Sequence, residues 1–472
     1  MDCCHFLLPC DNIRIELRPE SWKAAEKQNR AKENASSRIL WGKTMKIKTK
    51  EMPYERVLAM GPYVHQKPMK QLMILRWLVK WLSFFDLMRV NFQFKQIGME
   101  KLEPDQPCLI LMNHSSFIDL KIVGKIFGKR PYQIVCTLDG FVGKKWLMRL
   151  LGCIPTKKFI TDTTLVRDMM YVVKKLGSSI VMYPEASYSF DGTATPLPES
   201  MGKCLKLLGV PVVMVRTFGA FSRDPLYNGL QLRKVKVSAE VEYLLSAEDI
   251  KEKSADELNR ILTEQFTFDH FRWQQENQIR IREKFRADGL NRVLYKCPGC
   301  HEEGRMVGKG IHITCQNCGK EYELTELGSI QAVDRVTEIP HIPDWYRWQR
   351  ECVRQEIVDG TYKLDVPVDI YMLVNTKCVY KVGEGQLVHT KEGFHLTGCN
   401  GQLDYHQAPG LSYSLYSDFF WYEIGDMVCI GDSERQYYCF PKVPGDIVAK
   451  TRLATEELYK LTKPVRKCKK IE

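Results

Sequence analysis

A histidine and an aspartate five residues apart follow a short apolar run. The run, residues 108–112, stops at Asn113-His114, and Asp119 comes next among the acidic residues. An apolar run that ends in polar residues indicates a buried strand, and open α/β sheets carry their chemistry at the carboxyl ends of such strands. The spacing therefore predicts a general base, His114, whose tautomer is fixed by Asp119. The alternative is a structural histidine that is hydrogen-bonded in a loop.

Two more apolar runs come later in the chain. The first, residues 179–183, ends in Pro184-Glu185-Ala186-Ser187-Tyr188-Ser189, and the second, residues 209–215, contains a Val-Pro pair. In order and spacing, these segments and the Asn113-His114 segment with Asp119 resemble the lysophospholipid acyltransferase family, whose best-known members are 1-acyl-glycerol-3-phosphate acyltransferases. The resemblance covers roughly residues 70–245.

The resemblance implies an enzyme that moves a fatty acyl group from acyl-CoA or acyl-carrier protein to the hydroxyl of a lysophospholipid, such as 1-acyl-glycerol-3-phosphate. By the same resemblance, His114 is the general base, Asp119 orients it, and Asn113, Glu185 and Ser187 lie at the substrate. The transfer is expected to be direct, without a covalent acyl-enzyme and without a catalytic cofactor.

Two basic positions of the family are missing from this chain. Ala186-Ser187-Tyr188 stands where the family has Gly-Thr-Arg, and an arginine that the family often has just after Phe159-Ile160 is absent. In the family these arginines are thought to hold the acceptor phosphate. A phosphate needs positive charge and donors more than one fixed position. The candidates to replace them are Lys157, Lys158, Arg167 and Lys203. We expect the Lys157-Lys158 pair to bind the acceptor headgroup; the alternative acceptor is a lysolipid that is held differently.

Charge and cysteine content bear on partners and compartment. The 472 residues include 69 Lys and Arg against 57 Asp and Glu, and the net charge of +12 is spread along the chain. This balance favours an anionic partner such as a membrane surface. Seventeen cysteines, most of them scattered singly, indicate a reducing compartment. Because no secretory signal and no run of 18 apolar residues is present, we expect a cytoplasmic protein that is peripheral on the inner face of a membrane.

Residues 71–90 form the most membrane-like segment. In the predicted helix Arg76, Lys80 and Ser83 share one narrow face, and the other faces are rich in Trp, Phe, Leu and Met. This pattern predicts a helix that lies in a bilayer interface with its cations reaching the headgroups. The alternative is a helix packed on its own domain with one wet stripe.

Four cysteines form two Cys-x2-Cys pairs: Cys297, Cys300, Cys315 and Cys318. Two such pairs at this separation are typical of a zinc ribbon, and four thiolates complete a tetrahedral shell, so the zinc is expected to be structural. The alternative, two disulfides, conflicts with a reducing compartment. The ribbon mixes acidic and basic residues and lacks stacking aromatics, so we expect no nucleic-acid partner.

Strand-like and helical runs alternate through the first half of the chain. The predicted strands are residues 107–112, 132–138, 178–183, 210–217 and 233–243, with helices that include 164–176 and 201–208. The alternation predicts an α/β acyltransferase domain, a mixed sheet flanked by helices. A capping pattern that starts at Ser254 predicts a helix that runs to about residue 287.

After residue 360 the pattern changes to short alternating runs separated by glycine turns, which are typical of antiparallel hairpins. A helical run at residues 455–461 follows. We expect a mostly antiparallel β domain whose architecture resembles a pleckstrin-homology module, a type that binds lipid headgroups or proteins.

The predicted organisation has seven parts. They are an N-terminal tail (1–44, solvated or disordered), an amphipathic helical membrane-surface segment (45–105), the acyltransferase domain (106–250), a connecting helix (251–292), the zinc ribbon (293–325), a second helix (326–360) and the β domain with its C-terminal helix (361–472). The leading function is a membrane-surface acyltransferase, and the alternative is a non-catalytic lipid-binding scaffold on the same fold. His114 and Asp119 favour the enzyme because a scaffold does not require them.

Overall fold

A computed structural model describes residues 46–159, 162–334, 336–443 and 447–462. The predicted tail at 1–44 lies outside the described residues. From Ile47 onward the described chain belongs to one compact unit. Its first elements are β1 (Thr49–Glu51), α1 (Tyr54–Leu58) and α2 (Met73–Arg89).

A seven-stranded sheet forms the predicted catalytic region. Its strands are β2 (Gln93–Ile97), β3 (Leu109–Met112), β4 (Tyr132–Thr137), β5 (Cys153–Thr156), β6 (Ser179–Met182), β7 (Val212–Phe218) and β8 (Ser238–Leu245). In space they lie in the order β2-β8-β7-β3-β6-β4-β5. The last five of these are parallel to one another, while β8 and β2 run the other way. The prediction of a mixed α/β sheet is therefore confirmed.

Two strands of this sheet lie outside the predicted set. β2 is exposed along its length and its sequence contains no apolar run that would mark a strand. β5 is an edge strand that contains Pro155, a residue that argues against a strand in the sequence. Because β2 belongs to the sheet, the sheet begins before the predicted domain boundary at residue 106.

Helices cover both faces of the sheet. They are α3 (Asp119–Ile126), α4 (Lys145–Leu150), α5 (Thr163–Lys174), α6 (Met201–Leu208) and α7 (Ala220–Arg223). Leu109 and Leu111 of β3 share an apolar cluster with α5 and α6, whereas Ile110 and Met112 share another with α2 and α3. Both faces of β3 are thus buried, which explains its unbroken apolar sequence.

Helix α2 turns its apolar side outward. Trp77 and Trp81 are 63% and 61% exposed, whereas Ser83 is buried and Arg76 and Lys80 are half-buried. The expectation that this polar stripe points away from the protein is therefore wrong, whereas the position of the helix at a bilayer interface stays a prediction. The stripe faces the protein because α2 packs on α3, and Gly128 in the turn after α3 leaves room for the Lys80 side chain. No helix in the described part of the chain is long and apolar enough to cross a membrane.

The middle of the chain holds helices and a small sheet. The elements are α8 (Ala247–Glu252), α9 (Ala255–Phe266), α10 (His270–Glu276), β9 (Met306–Lys309), β10 (His312–Cys315), β11 (Glu321–Leu324), β12 (Ile330–Ala332) and α11 (Ile342–Val358). The prediction of one helix from Ser254 to about residue 287 is wrong, because Ser254 caps α9 and Asp269 caps the separate α10. β9 to β12 form an antiparallel sheet in the order β12-β11-β10-β9.

The C-terminal region is the expected antiparallel β domain. Its elements are β13 (Leu364–Leu373), β14 (Val379–Thr390), β15 (Gly393–Gly398), β16 (Leu403–Gln407), β17 (Tyr416–Trp421), β18 (Gly425–Gly431), β19 (Gln436–Pro441) and α12 (Ile447–Thr462). Its strands lie in the order β16-β15-β14-β13-β19-β18-β17, and β1 pairs with β14 in parallel. The antiparallel architecture is confirmed, and α12 begins before the predicted start at residue 455.

Candidate active site

The predicted catalytic pair meets at the carboxyl end of β3. His114 Nδ1 lies 3.1 Å from Asp119 Oδ2, and Asp119 is the first residue of α3. The same oxygen accepts the backbone N–H groups of Ser115 at 2.9 Å and Ser116 at 3.1 Å. Three donors thus stabilise a carboxylate that is only 1% exposed. The bond to Nδ1 holds the proton there and leaves Nε2 as the basic nitrogen.

His114 lies between two tyrosine rings. Its ring centroid is 4.4 Å from that of Tyr183 and 4.0 Å from that of Tyr188. Burial lowers the pKa of His114, Asp119 opposes this effect, and the charge of Lys158 adds to it. The imidazole is therefore neutral near pH 7, which is the form that a general base needs.

The loop after β6 wraps around His114. Glu185 Oε2 accepts the backbone N–H of His114 at 2.9 Å, and Glu185 Oε1 accepts that of Thr195 at 2.9 Å. The backbone N–H of Ser189 donates to the His114 carbonyl at 3.4 Å. Burial raises the pKa of Glu185 to about 7, although these N–H donors favour its charged form. Both oxygens are engaged by the main chain, so the geometry favours a bracing role for Glu185 over the predicted contact with substrate.

Ala186 and Gly192 show how tightly this loop is turned. Ala186 stands where the family has glycine, and its φ is +55°, a left-handed conformation that costs a residue with a Cβ about 1 kcal/mol. Gly192 has φ +82°, and a Cβ there would lie 3.0 Å from Phe221. The loop therefore keeps a backbone shape that suits glycine even where the glycine has been replaced.

A buried chain of hydrogen bonds supports the end of β3. Asn113 Oδ1 accepts the backbone N–H of Thr217 at 2.8 Å and its hydroxyl at 3.1 Å. The Asn113 amide donates to Ser115 Oγ at 2.9 Å, and Ser115 Oγ lies 3.2 Å from His270 Nε2. Burial lowers the pKa of His270 to about 3, so this histidine is neutral. Asn113, a predicted substrate residue, is thus used to join β3 to β7, and the sequence offers no local signal for His270.

The predicted headgroup lysines lie at the junction with the β domain. Lys158 Nζ is 4.1 Å from the centre of the Tyr416 ring, and burial lowers its pKa. Lys157 donates to the carbonyl of Ser433. Of the two, Lys158 is close enough to His114 to affect its pKa.

Two other predicted substrate residues gain no support from the geometry. Ser187 is buried, and its hydroxyl has no hydrogen-bond partner within the described ranges. Lys203 is exposed on α6, a helix that packs on the face of the sheet opposite to α3. The sequence does not show that Lys203 lies away from the site, because the face of the sheet that a helix covers depends on the order of the strands.

The C-terminal helix α12 reaches the loop around His114. Arg452 Nη1 lies 3.5 Å from the Tyr188 carbonyl, and its guanidinium is 4.5 Å from the centre of the Phe190 ring. Phe190 also stacks on Phe419 of β17 at 4.5 Å. These contacts join the loop to elements more than 200 residues further along the chain, and no sequence pattern predicts them.

The four predicted metal ligands converge at the end of the small sheet. The Sγ atoms of Cys297 and Cys318 are 3.8 Å apart, and those of Cys300 and Cys315 are 3.7 Å apart. All four sulfurs lie within 4.8 Å of one another, so the group can hold a metal ion.

Comparison with known proteins bears on the catalytic region. Residues 93–217 match the family model described as Acyltransferase. A chloroplastic 1-acyl-sn-glycerol-3-phosphate acyltransferase of Brassica napus is 29% identical over 127 residues, which are 26% of this chain and 36% of that protein. The 1-acyl-sn-glycerol-3-phosphate acyltransferase beta of Homo sapiens is 23% identical over 159 residues, which are 33% of this chain and 55% of that protein.

The chain spans 36% and 55% of the lengths of these two curated relatives. Among solved structures, a 1-acyl-sn-glycerophosphate acyltransferase from Thermotoga maritima matches with a TM-score of 0.32 and 17% identity, covering 40% of this chain and 76% of that one. The family model and the curated relatives confirm the predicted resemblance to 1-acyl-glycerol-3-phosphate acyltransferases in the catalytic region.

Proposed function

We propose that this chain, whose residues 93–217 form an acyltransferase-family domain, transfers a fatty acyl group from a thioester to the hydroxyl of a lysophospholipid at a membrane surface. The observation that carries the proposal is the His114–Asp119 pair, 3.1 Å apart at the carboxyl end of β3. The names of the relatives make an acyl-glycerol phosphate the first acceptor to test. Acyl-CoA and acyl-carrier protein are the proposed donors.

In the proposed reaction Nε2 of His114 removes the proton from the acceptor hydroxyl as the oxygen attacks the thioester carbonyl. A C–O bond forms, the C–S bond breaks, and the imidazolium returns its proton to the departing thiolate. Asp119 stabilises the imidazolium between these two transfers. The neutral state of His114, which follows from its lowered pKa, supports this role.

An exposed apolar surface supports membrane association. Helix α2 exposes nine large side chains: Met73, Ile74, Trp77, Leu78, Trp81, Leu82, Phe84, Phe85 and Met88. Trp146 and Leu147 of the adjoining α4 are exposed as well, and the α4 end is joined to α2 by a bond from the Leu72 N–H to the Leu150 carbonyl. Soluble monomers rarely expose a patch of this size, and tryptophan is favoured at bilayer interfaces. The cytoplasmic location on the inner face stays a prediction.

The acceptor headgroup is proposed to meet Lys158, with Lys157 beside it. Tyr188 fills the place of the family's arginine and stacks on His114, so this position supplies no positive charge. Lys158 is a cation whose charge lowers the pKa of His114. The proposed role of Asn113, Glu185 and Ser187 is to support the backbone around His114 rather than to bind the headgroup.

The cysteine group is proposed to hold one structural zinc ion in a zinc ribbon. Zn–S bonds of about 2.3 Å in a tetrahedron place the sulfurs roughly 3.8 Å apart, close to the 3.7 and 3.8 Å separations found here. The seven antiparallel strands followed by α12 are likewise proposed to form a pleckstrin-homology-like module.

Acyl transfer by the purified full chain in detergent micelles tests the enzyme. The assay uses labelled acyl-CoA and a panel of lysolipids that includes lysophosphatidate, with His114→Ala alongside. Transfer that is lost in the variant supports the proposal. No transfer to any acceptor, from acyl-CoA or from acyl-carrier protein, would overturn it in favour of the scaffold.

The lysine assignment has its own test in the same assay. Lys158→Ala should raise the acceptor KM by roughly tenfold or more, because a charge-assisted contact of about 1.5–3 kcal/mol is lost, while the donor KM stays unchanged. Lys203→Ala is the matched control, since it removes the same charge from the far face of the sheet. An unchanged acceptor KM in Lys158→Ala rejects the assignment.

A further inference from the structure

A second group of potential metal ligands lies on the β domain, in a different sheet from the four cysteines. His395 is in β15, and Asp404 and His406 are in β16, the edge strand. His395 and His406 are direct cross-strand partners. Asp404 lies two residues before His406, so it shares the same face of the sheet. The sheet register alone thus places two imidazoles and one carboxylate side by side.

The potential ligand atoms of the three side chains lie within 4.8 Å of one another. The two imidazole rings stack with their centroids 3.8 Å apart and an interplanar angle of 13°. Asp404 Oδ1 lies 2.8 Å from His395 Nε2 and 3.4 Å from His406 Nε2. Ligands that share a tetrahedral ion at about 2.0–2.1 Å lie roughly 3.3 Å from one another. The two distances from Asp404 Oδ1 to the histidine nitrogens, 2.8 and 3.4 Å, bracket this value.

The presence of two histidines sets this group apart from the other histidine–aspartate pairs among the described residues, which include His114 with Asp119. His65 pairs with Asp168 at 2.8 Å, and His341 pairs with Asp269 at 2.7 Å, each as a single histidine with a single aspartate. A second imidazole adds nothing to such an ion pair, but it supplies the third ligand that a metal site requires.

We propose that His395, Asp404 and His406 bind a divalent transition-metal ion such as zinc, which proteins hold with two imidazoles and one carboxylate. The side chains are 39%, 69% and 69% exposed, so the ion enters from solvent without any movement of the core. Three protein ligands leave the fourth position open to water or to an outside donor. This site is weaker than the cysteine site because exposed side chains lose rotamer freedom when they are fixed.

Calorimetric titration of the full chain with zinc chloride tests the site. The protein is first loaded with one equivalent of zinc, which the cysteines take. We expect a second, weaker binding event of one equivalent, weakened at least about tenfold in His395→Ala and in His406→Ala because each loses one of three ligands. His65→Ala is the matched control, since it removes an exposed histidine paired with one aspartate, and it should leave the second event unchanged.

Asp404→Asn provides an independent variant, because asparagine keeps a hydrogen-bonding oxygen but loses the charge that attracts the cation. It should weaken the second event as well. If the preloaded protein binds no further zinc, the proposal is overturned. It is also overturned if the second binding event keeps its affinity in both histidine variants. The measurement does not depend on acyl transfer, so its outcome is separate from that of the proposed function.

Discussion

Replacing Asp119 by asparagine isolates the charge that faces His114, the proposed general base. In the structure Asp119 Oδ2 accepts from His114 Nδ1 at 3.1 Å and from two main-chain N–H groups. An asparagine oxygen in the same place keeps the two main-chain bonds. The negative charge disappears, and the imidazolium formed during the reaction loses its counter-charge.

The 3.1 Å separation sets the size of the effect. Two unit charges at this distance interact by about 5 kcal/mol at an effective dielectric constant of roughly 20. Since about 1.4 kcal/mol corresponds to a tenfold change in rate, kcat should fall by roughly 10³- to 10⁴-fold. The acceptor KM should change little, because the buried Asp119 carboxylate is covered by His114 and the main chain.

Initial rates of thiol release from acyl-CoA at saturating acceptor measure kcat. Asp224→Asn is the control, because Asp224 is also buried and also contacts this segment, through the hydroxyl of Ser116, without touching His114. Melting curves establish that both variants fold. A folded Asp119→Asn whose kcat falls less than about tenfold, or falls no further than that of Asp224→Asn, refutes the charge argument.

Four further predictions concern the base, the loop, the membrane surface and the ribbon. Because burial lowers the pKa of His114, kcat should be level near neutral pH and fall as protonation removes the base, with a midpoint in a pH–rate profile below the usual histidine value of about 6.5. Ala186→Gly should raise the free energy of unfolding in urea by about 0.5–1 kcal/mol, because it relieves the φ of +55°. The double variant Trp77→Ala/Trp81→Ala should lower binding to anionic vesicles at least about tenfold in co-sedimentation, because two exposed indoles no longer enter the bilayer. Cys315→Ser should remove the tightly bound zinc equivalent, seen by elemental analysis, and lower the melting temperature because the ligand shell is broken.

Each of these has a matched comparison. A pH–rate profile of kcat with its midpoint above pH 6.5 would contradict the effect of burial on the pKa of His114. Ala454→Gly, in the middle of α12, should destabilise by about 1 kcal/mol, opposite in sign to the Ala186 variant. Leu411→Ala, exposed on the β domain, should leave vesicle binding unchanged. Loss of the tight zinc equivalent in Cys399→Ser, which lies outside the ribbon, would contradict the assignment of the ligands.

The features that the sequence predicts well are local ones. His114 and Asp119 lie within one strand-to-helix turn, so their spacing alone brings them together. The Cys-x2-Cys pairs are local in the same way, and the strands of the central sheet are marked by apolar runs because both faces are covered. The antiparallel β domain is also predictable from local features, because the glycine turns between its strands mark the hairpins.

The features that the sequence does not predict depend on what lies across the molecule. The orientation of α2 depends on its packing against α3 and on the room at Gly128 in the turn after α3. The periodicity of the α2 sequence does not show which face of the helix α3 covers. Glu185 is used by two main-chain groups that only the folded loop brings to it. His270 and Arg452 reach the site from distant elements, so their roles follow from packing rather than from any motif.

The pairing of β1 with β14 fixes an order of events during synthesis. Thr49 lies beside Val379, 330 residues further along the chain. At about 5–20 residues per second, β14 leaves the ribosome roughly 20–60 s after β1. The seven-stranded sheet can close during this interval, because β2 to β8 are complete by residue 245, while β14, the partner of β1, has not been synthesised. β1 can therefore pair only after all seven strands of the first sheet have been synthesised, because its partner β14 emerges later.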